Sequence, residues 1–192
     1  MQELLKNDQT LSLSGVGAAH QNGVAERAIK TVVSIARTMM LHAAMRSPEG
    51  TISAELWPMA MDHATWIYNQ IPKYDTGLSP QQHWTQSTFD DVKTTLGNLH
   101  VWGCPTYVLE PKLQKPGVKI PKWAPRSRQG RFMGFSRFHS SLVGLILNPR
   151  TGSISPQFHV VYDDLFTMLH HNEDLKSVEQ WSKLFTSPSS RI

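Results

Sequence analysis

Residues 20–44 read HQNGVAERAIKTVVSIARTMMLHAA. Apolar side chains recur at Ala25, Ala28, Ile29, Val32, Ala36, Met39, Met40 and Ala43, steps of three and four that wind onto one face of an α-helix. No Gly or Pro interrupts the run from Val24 onward, so a helix over about 24–44 is expected. Upstream, the small and Gly-rich SLSGVGAAH suits a loop. Glu26 falls in the first turn, where the helix dipole favours an ionised carboxylate. At about 100° per residue, Glu26, Lys30 and Arg37 share a face away from the apolar stripe.

Two further helices follow. Trp57, Ala60, Met61, Ala64, Ile67 and Tyr68 form a stripe over 56–69, with Pro58 tolerated in its first turn and Pro72 beyond its end. Ser79 before Pro80 reads as the N-cap of a short helix carrying Trp84. After Leu96 the period becomes that of strands. Residues 100–109, 131–137, 142–147 and 153–162 are short runs rich in Val, Ile, Phe and Tyr, broken by Pro, Gly, Asn and Ser. Asn148-Pro149-Arg150-Thr151-Gly152 is a strong reversal, which makes 142–162 a hairpin, and the succession of short strands suggests a small closed barrel. The residues from 169 to 192, with His170-His171 and a Ser/Pro-containing end, are expected to be partly disordered.

Charge is unevenly placed. Of 19 Lys and Arg, seven lie between Lys112 and Arg131 with no carboxylate among them, leaving 12 basic against 15 acidic residues elsewhere. Lys115, Lys119, Lys122 and Arg126 alternate there with prolines and Trp123, so the segment arches between strands instead of forming a helix. Such an arch would neutralise backbone phosphates without reading bases, or it is an ordinary solvated loop with Trp123 tucked onto the barrel. The single cysteine, Cys104, excludes an internal disulfide and a multi-cysteine zinc site, and a buried apolar role suits it better than a nucleophilic one. No apolar run reaches membrane-spanning length and the opening lacks a secretory signal, so an intracellular protein without a membrane partner is expected. Nuclear residence is not derivable from charges this dispersed. Trp57, Trp66, Trp84, Trp102, Tyr107, Phe132 and Phe135 are expected mostly in cores; base stacking by any of them would require exposure to solvent.

The run HQNGVAER leading into a long amphipathic helix resembles the terminal motif of the copia-type retrotransposon integrases. LWPMAMDHATWIYNQIP with TGLSPQQHW resembles the helical end of that family's catalytic core, and VWGCPTYV, GRFMGFS, NPRTGSI and VVYDD resemble its SH3-like barrel, in the family's order over roughly residues 15–165. The resemblance implies an α/β part followed by a mostly β part. Residues 1–95 would be the C-terminal helical end of an RNase H-like core, 96–168 an SH3-like barrel and 169–192 a tail.

It also implies that Glu26 is the last carboxylate of an Asp, Asp, Glu triad. In the intact enzyme that triad holds Mg²⁺ or Mn²⁺ for in-line displacement at phosphorus. Lys30 matches a position that contacts the DNA end, and Gln21 and Asn22 lie in a loop that touches terminal bases and phosphates. Element ends and target DNA are the implied partners, with homo-oligomers possible. Only 25 residues precede Glu26, and Asp8, the one Asp among them, lacks the Asp-Asn-Gly setting of the family's second aspartate. The chain alone is therefore expected to bind no catalytic metal and to be inactive. Its helices should be partly uncovered, because the strands they would cover are mostly absent. Set against this are a solvated Glu26–Lys30 surface pair, a domesticated or structural protein-interaction module built on the barrel, and a coding relic with no function.

Overall fold

The computed structural model describes residues 15–16, 22–48, 50–85, 97–114, 117, 125–140 and 143–167. Helix α1 spans Gly23–Arg46, and α2 spans Trp57–Gln70 after a 3-10 turn at Ala54–Leu56, with Pro58 in its first turn. Helix α3 spans Pro80–Thr85. Its entry is a reciprocal cap: Gln82 N–H donates to Ser79 Oγ at 3.1 Å while Ser79 N–H donates to Gln82 Oε1 at 2.9 Å. Both side chains are buried, so two backbone donors at this helix start are satisfied without water.

Five antiparallel strands follow: β1 Pro105–Leu109, β2 Ser127–Phe135, β3 Gly144–Leu147, β4 Ile154–Gln157 and β5 Val160–Tyr162. They lie in the order β4-β3-β2-β1-β5. The chain is thus a mixed α/β fold with helices before an antiparallel sheet. The expected reversal is present, with Leu147 opposite Ile154 and Asn148 N–H donating to Ser153 O at 2.8 Å. Asn148 Oδ1 accepts the Arg150 N–H at 3.0 Å, an Asx turn, and Gly152 takes φ +71°.

Three strand boundaries depart from the sequence-based expectation. Residues 100–104 are not strand. Trp102 and Gly103 form a turn in which Gly103 adopts φ +78°, and its N–H donates to Phe132 O at 2.7 Å. β2 begins at Ser127, within the basic segment. The last run divides, because β4 pairs with β3 at one edge whereas β5 pairs with β1 at the other.

That division bends the sheet. Only Phe158 and His159 separate β4 from β5, so the three Cα steps from Gln157 to Val160 reach at most about 11 Å. The edges of five flat strands would stand about 19 Å apart. The sheet therefore curls on itself. In agreement, a Cβ placed on Gly144 of β3 would lie 2.7 Å from Tyr162 Oη of β5, although two strands intervene in the pairing order. The curl stops short of the expected closed barrel: β4 and β5 share no ladder among the described residues.

Apolar residues pack on both faces of the curled sheet. Inside lie Cys104, Val108, Phe132, Ile146 and Phe166, with Tyr162 and Val160 against them. Outside, Trp102, Met133 and Leu147 join Val32, Ala36, Met40, Ala43, Ala60 and Ala64 of the helices in one core. Alanines on both helices let the backbones approach closely. The expected exposure of the helical stripes holds for part of α1 and for Trp57 at the start of α2. Val24, Ile29 and Val33 are exposed, whereas Val32, Ala36, Met40 and Ala43 are buried.

Candidate nucleic-acid interface

The sequence points to nucleic-acid contacts in two places. At the start of α1, Asn22, Glu26 and Lys30 are all exposed. Asn22 occupies the N-cap position without a side-chain cap bond, and Glu26 is the acidic residue of the first turn. Glu26 and Lys30 lie one turn apart on the solvent side, yet no salt bridge joins them among the described residues. Both side chains are open to an approaching polyanion or cation. Gln21 lies outside the described residues, as does Asp8.

No group of three or more His, Cys, Asp or Glu among the described residues converges well enough to hold a metal ion. Glu26 by itself supplies one carboxylate where two divalent ions need several oxygen ligands. The described residues do not fit a two-metal centre.

Lys115, Lys119, Lys122 and Trp123 of the basic segment also lie outside the described residues. Lys112 is exposed on a 3-10 turn over Pro111–Gln114, and Arg126 is exposed just before β2. Arg131 differs. It lies within β2 opposite Pro105 and Leu147, is 3% exposed, and its Nε and Nη1 have no hydrogen-bond partner. Burial lowers its pKa, opposed by the nearby Cys104, Tyr107 and Asp163. A guanidinium so placed cannot reach a phosphate, so the segment presents at most six surface charges, not seven. Charge counted along a strand cannot tell a buried arginine from an exposed one.

A polar cluster that the sequence did not single out closes the bottom of the sheet. His100 Nδ1 lies 2.9 Å from Asp164 Oδ2, and Val101 N–H donates to Asp164 Oδ1 at 2.7 Å. The His100 imidazole stacks on the Tyr162 ring at 3.5 Å and 10°. Burial pushes the Tyr162 phenol up to about 12 and raises the Cys104 thiol far above its ordinary value, Asp164 adding to both. Cys104, fully buried and protonated, cannot serve as a nucleophile. The cluster is a tie between the turn before β1 and the end of β5.

No family model, curated protein or solved structure matches this chain. Among the described residues no helix is long and apolar enough to cross a membrane.

The aromatic side chains divide in a way periodicity did not predict. Trp102 and Phe132 are core, and Trp66 and Phe135 are half-buried around His63. Trp57 and Trp84, expected in cores, are 60% and 87% exposed. Each stands within one turn of an end of its helix.

Proposed function

We propose that this chain is the C-terminal part of a copia-type retrotransposon integrase, retaining the last triad carboxylate and surfaces for DNA but not the chemistry of joining. The observation that carries the proposal is Glu26. It stands exposed in the first turn of a 24-residue helix, within the run His20–Arg27 that resembles the family's terminal motif. In the intact enzyme Glu26 would hold Mg²⁺ or Mn²⁺ with carboxylates from elsewhere, and Lys30, one turn on, would meet the phosphates of a DNA end. Helices α1–α3 would be the end of an RNase H-like core. The curled five-stranded sheet would be its SH3-like companion, a proposal supported by the strand number, the antiparallel pairing and the two-residue passage from β4 to β5.

Within these 192 residues the role left is binding. Lys112, Lys115, Lys119, Lys122 and Arg126 would engage the phosphate backbone of duplex DNA regardless of sequence, with Lys30 as a second contact. The test is duplex binding by the purified chain across a salt series. Affinity that falls steeply and linearly in log salt supports the proposal, and absence of binding at low salt overturns it.

A specific observation also favours a protein-interaction module. Ile29 and Val33, one turn apart, leave an uncovered apolar pair on the first half of α1. Binding to a protein partner that ignores salt, with no DNA affinity, would establish that alternative.

A further inference from the structure

Helix α2 leaves the core at Gln70, and the chain turns through a tight loop into α3. The loop is fixed by its own backbone: Lys73 N–H donates to Leu78 O at 3.0 Å, Gly77 N–H donates to Lys73 O at 2.8 Å, and Gly77 takes φ +66°. On the other side, the buried Ser79–Gln82 cap fixes the direction of α3. Between loop and helix lies an open cleft of about 340 Å³, lined among others by Lys73, Leu78, Pro80, His83 and Trp84. Its walls are held in place before any ligand arrives, which lowers the ordering cost of binding.

The side chains of the cleft make an uncommon combination. Trp84 is 87% exposed, although tryptophan is ordinarily among the most covered residues. Its indole offers a flat face to the solvent. Lys73 has no carboxylate partner among the described residues. Asp75, the one acid lining the cleft, accepts the Thr76 N–H at Oδ1 (2.9 Å) but keeps its negative charge, so an anion is favoured at Lys73 and not beside Asp75. His83, exposed beside Trp84, adds a second nitrogen donor. A matching ligand must carry a planar ring and an anion within one small volume. Nucleotides do, and the cleft lies at the lower end of the size range of small-ligand sites, enough for one of them. In a duplex the faces of the bases are covered by their neighbours, so the ring can be offered only by a single strand.

We propose that the cleft between the Lys73–Leu78 loop and α3 binds one nucleotide of a single-stranded nucleic acid, its base stacked on Trp84 and its phosphate at Lys73. The site is separate from the duplex contacts proposed for Lys30 and the basic segment, and it stands whether or not those hold.

The full chain is titrated with fluorescently labelled single-stranded oligo-dT and with an abasic analogue that keeps the phosphates and lacks the bases. Trp84→Ala should weaken oligo-dT binding about ten-fold, while Trp84→Phe retains most of it. Lys73→Gln should weaken binding to both probes and flatten the salt slope by about 0.7. The abasic strand should bind less tightly than oligo-dT and be indifferent to Trp84→Ala. Unchanged oligo-dT affinity in a Trp84→Ala chain of native circular dichroism would overturn the proposal, as would equal affinity for the abasic and base-bearing strands. Either result would leave the cleft to a protein partner. Duplex DNA titrated in parallel keeps the two proposals apart: loss of single-strand binding alone in Trp84→Ala, with duplex affinity intact, is expected here.

Discussion

Gly103 and Ala43 stand so close that a Cβ added to the first would lie 2.4 Å from the Cβ of the second, and Gly103 holds φ +78° in doing so. This is the point at which the turn into β1 rests against α1. Gly103→Ala should therefore suffer twice, from a backbone conformation that L side chains avoid and from overlap with a helix whose neighbours are fully packed. Together these amount to about 2–5 kcal/mol of lost stability in a urea titration. Gly152, with φ +71° but nothing within 4 Å of the added atom, supplies the comparison: its alanine variant should lose only about 1–2 kcal/mol. Equal losses would mean that packing against α1 contributes nothing.

A second consequence concerns acid. His63 of α2 is enclosed by Trp66, Phe132 and Phe135, with the backbone of Gly134 against its ring. Burial pushes its pKa from 6.5 down to about 4, partly offset by the His100 backbone. The unfolded chain then binds a proton near 6.5 that the folded chain refuses until about 4. Stability is complete above 6.5 and declines as pH falls towards 4, by about 3 kcal/mol over that window. His42, lowered by burial and by Arg46, acts in the same direction. Unfolding measured at several pH values should show the decline in the parent chain and a much flatter profile in His63→Leu. A profile unchanged by the substitution would assign the effect elsewhere.

Chemistry is expected to be absent. With one candidate metal-binding carboxylate in the proposed triad, the purified chain should neither process nor join labelled DNA ends in Mg²⁺ or Mn²⁺. Joining that disappears in Glu26→Gln would contradict this directly.

Much of the secondary structure was legible in the sequence because it depends on local chemistry. The stripe from Val32 to Ala43, Pro58 in a first turn, Ser79 before Pro80 and the Asn148–Gly152 reversal each carry their signal within a few residues. What was not legible depends on which surface meets which. Arg131 looks like its basic neighbours until the pairing with Pro105 and Leu147 places it under cover. Trp57 and Trp84 fall on apolar stripes like core residues, yet both are exposed close to a helix end. The run from Ser153 to Tyr162 alternates like one strand, and only its two partners show that it serves both edges of the sheet.

The basic segment gives a graded prediction. Replacing Lys115, Lys119, Lys122 and Arg126 by Gln should lower duplex affinity for all sequences alike and flatten the salt slope by about 0.9 for each phosphate no longer neutralised. Adding Arg131→Gln should change stability, not the slope, because the side chain is covered. Unchanged affinity in the four-Gln chain would shift the binding surface to Lys30 and α1.

Hydrogen exchange should divide α1 at its middle. Amides from Ala36 to Ala44, which share a core with Met133 and Leu147, should open together with β2 and be protected alike. The first turns, bearing exposed Val24 and Ile29, should exchange much sooner. Uniform protection along the whole helix would require a cover over its first half.

Phe158 and His159 alone connect the two outermost strands, and Phe158 is exposed. One protease cut at this link would free both borders of the sheet at the same moment, each with a row of unpaired amides able to recruit strands from other molecules. The nicked protein should accordingly aggregate before its helices melt, which makes this dipeptide the clasp that holds the two borders of the sheet together.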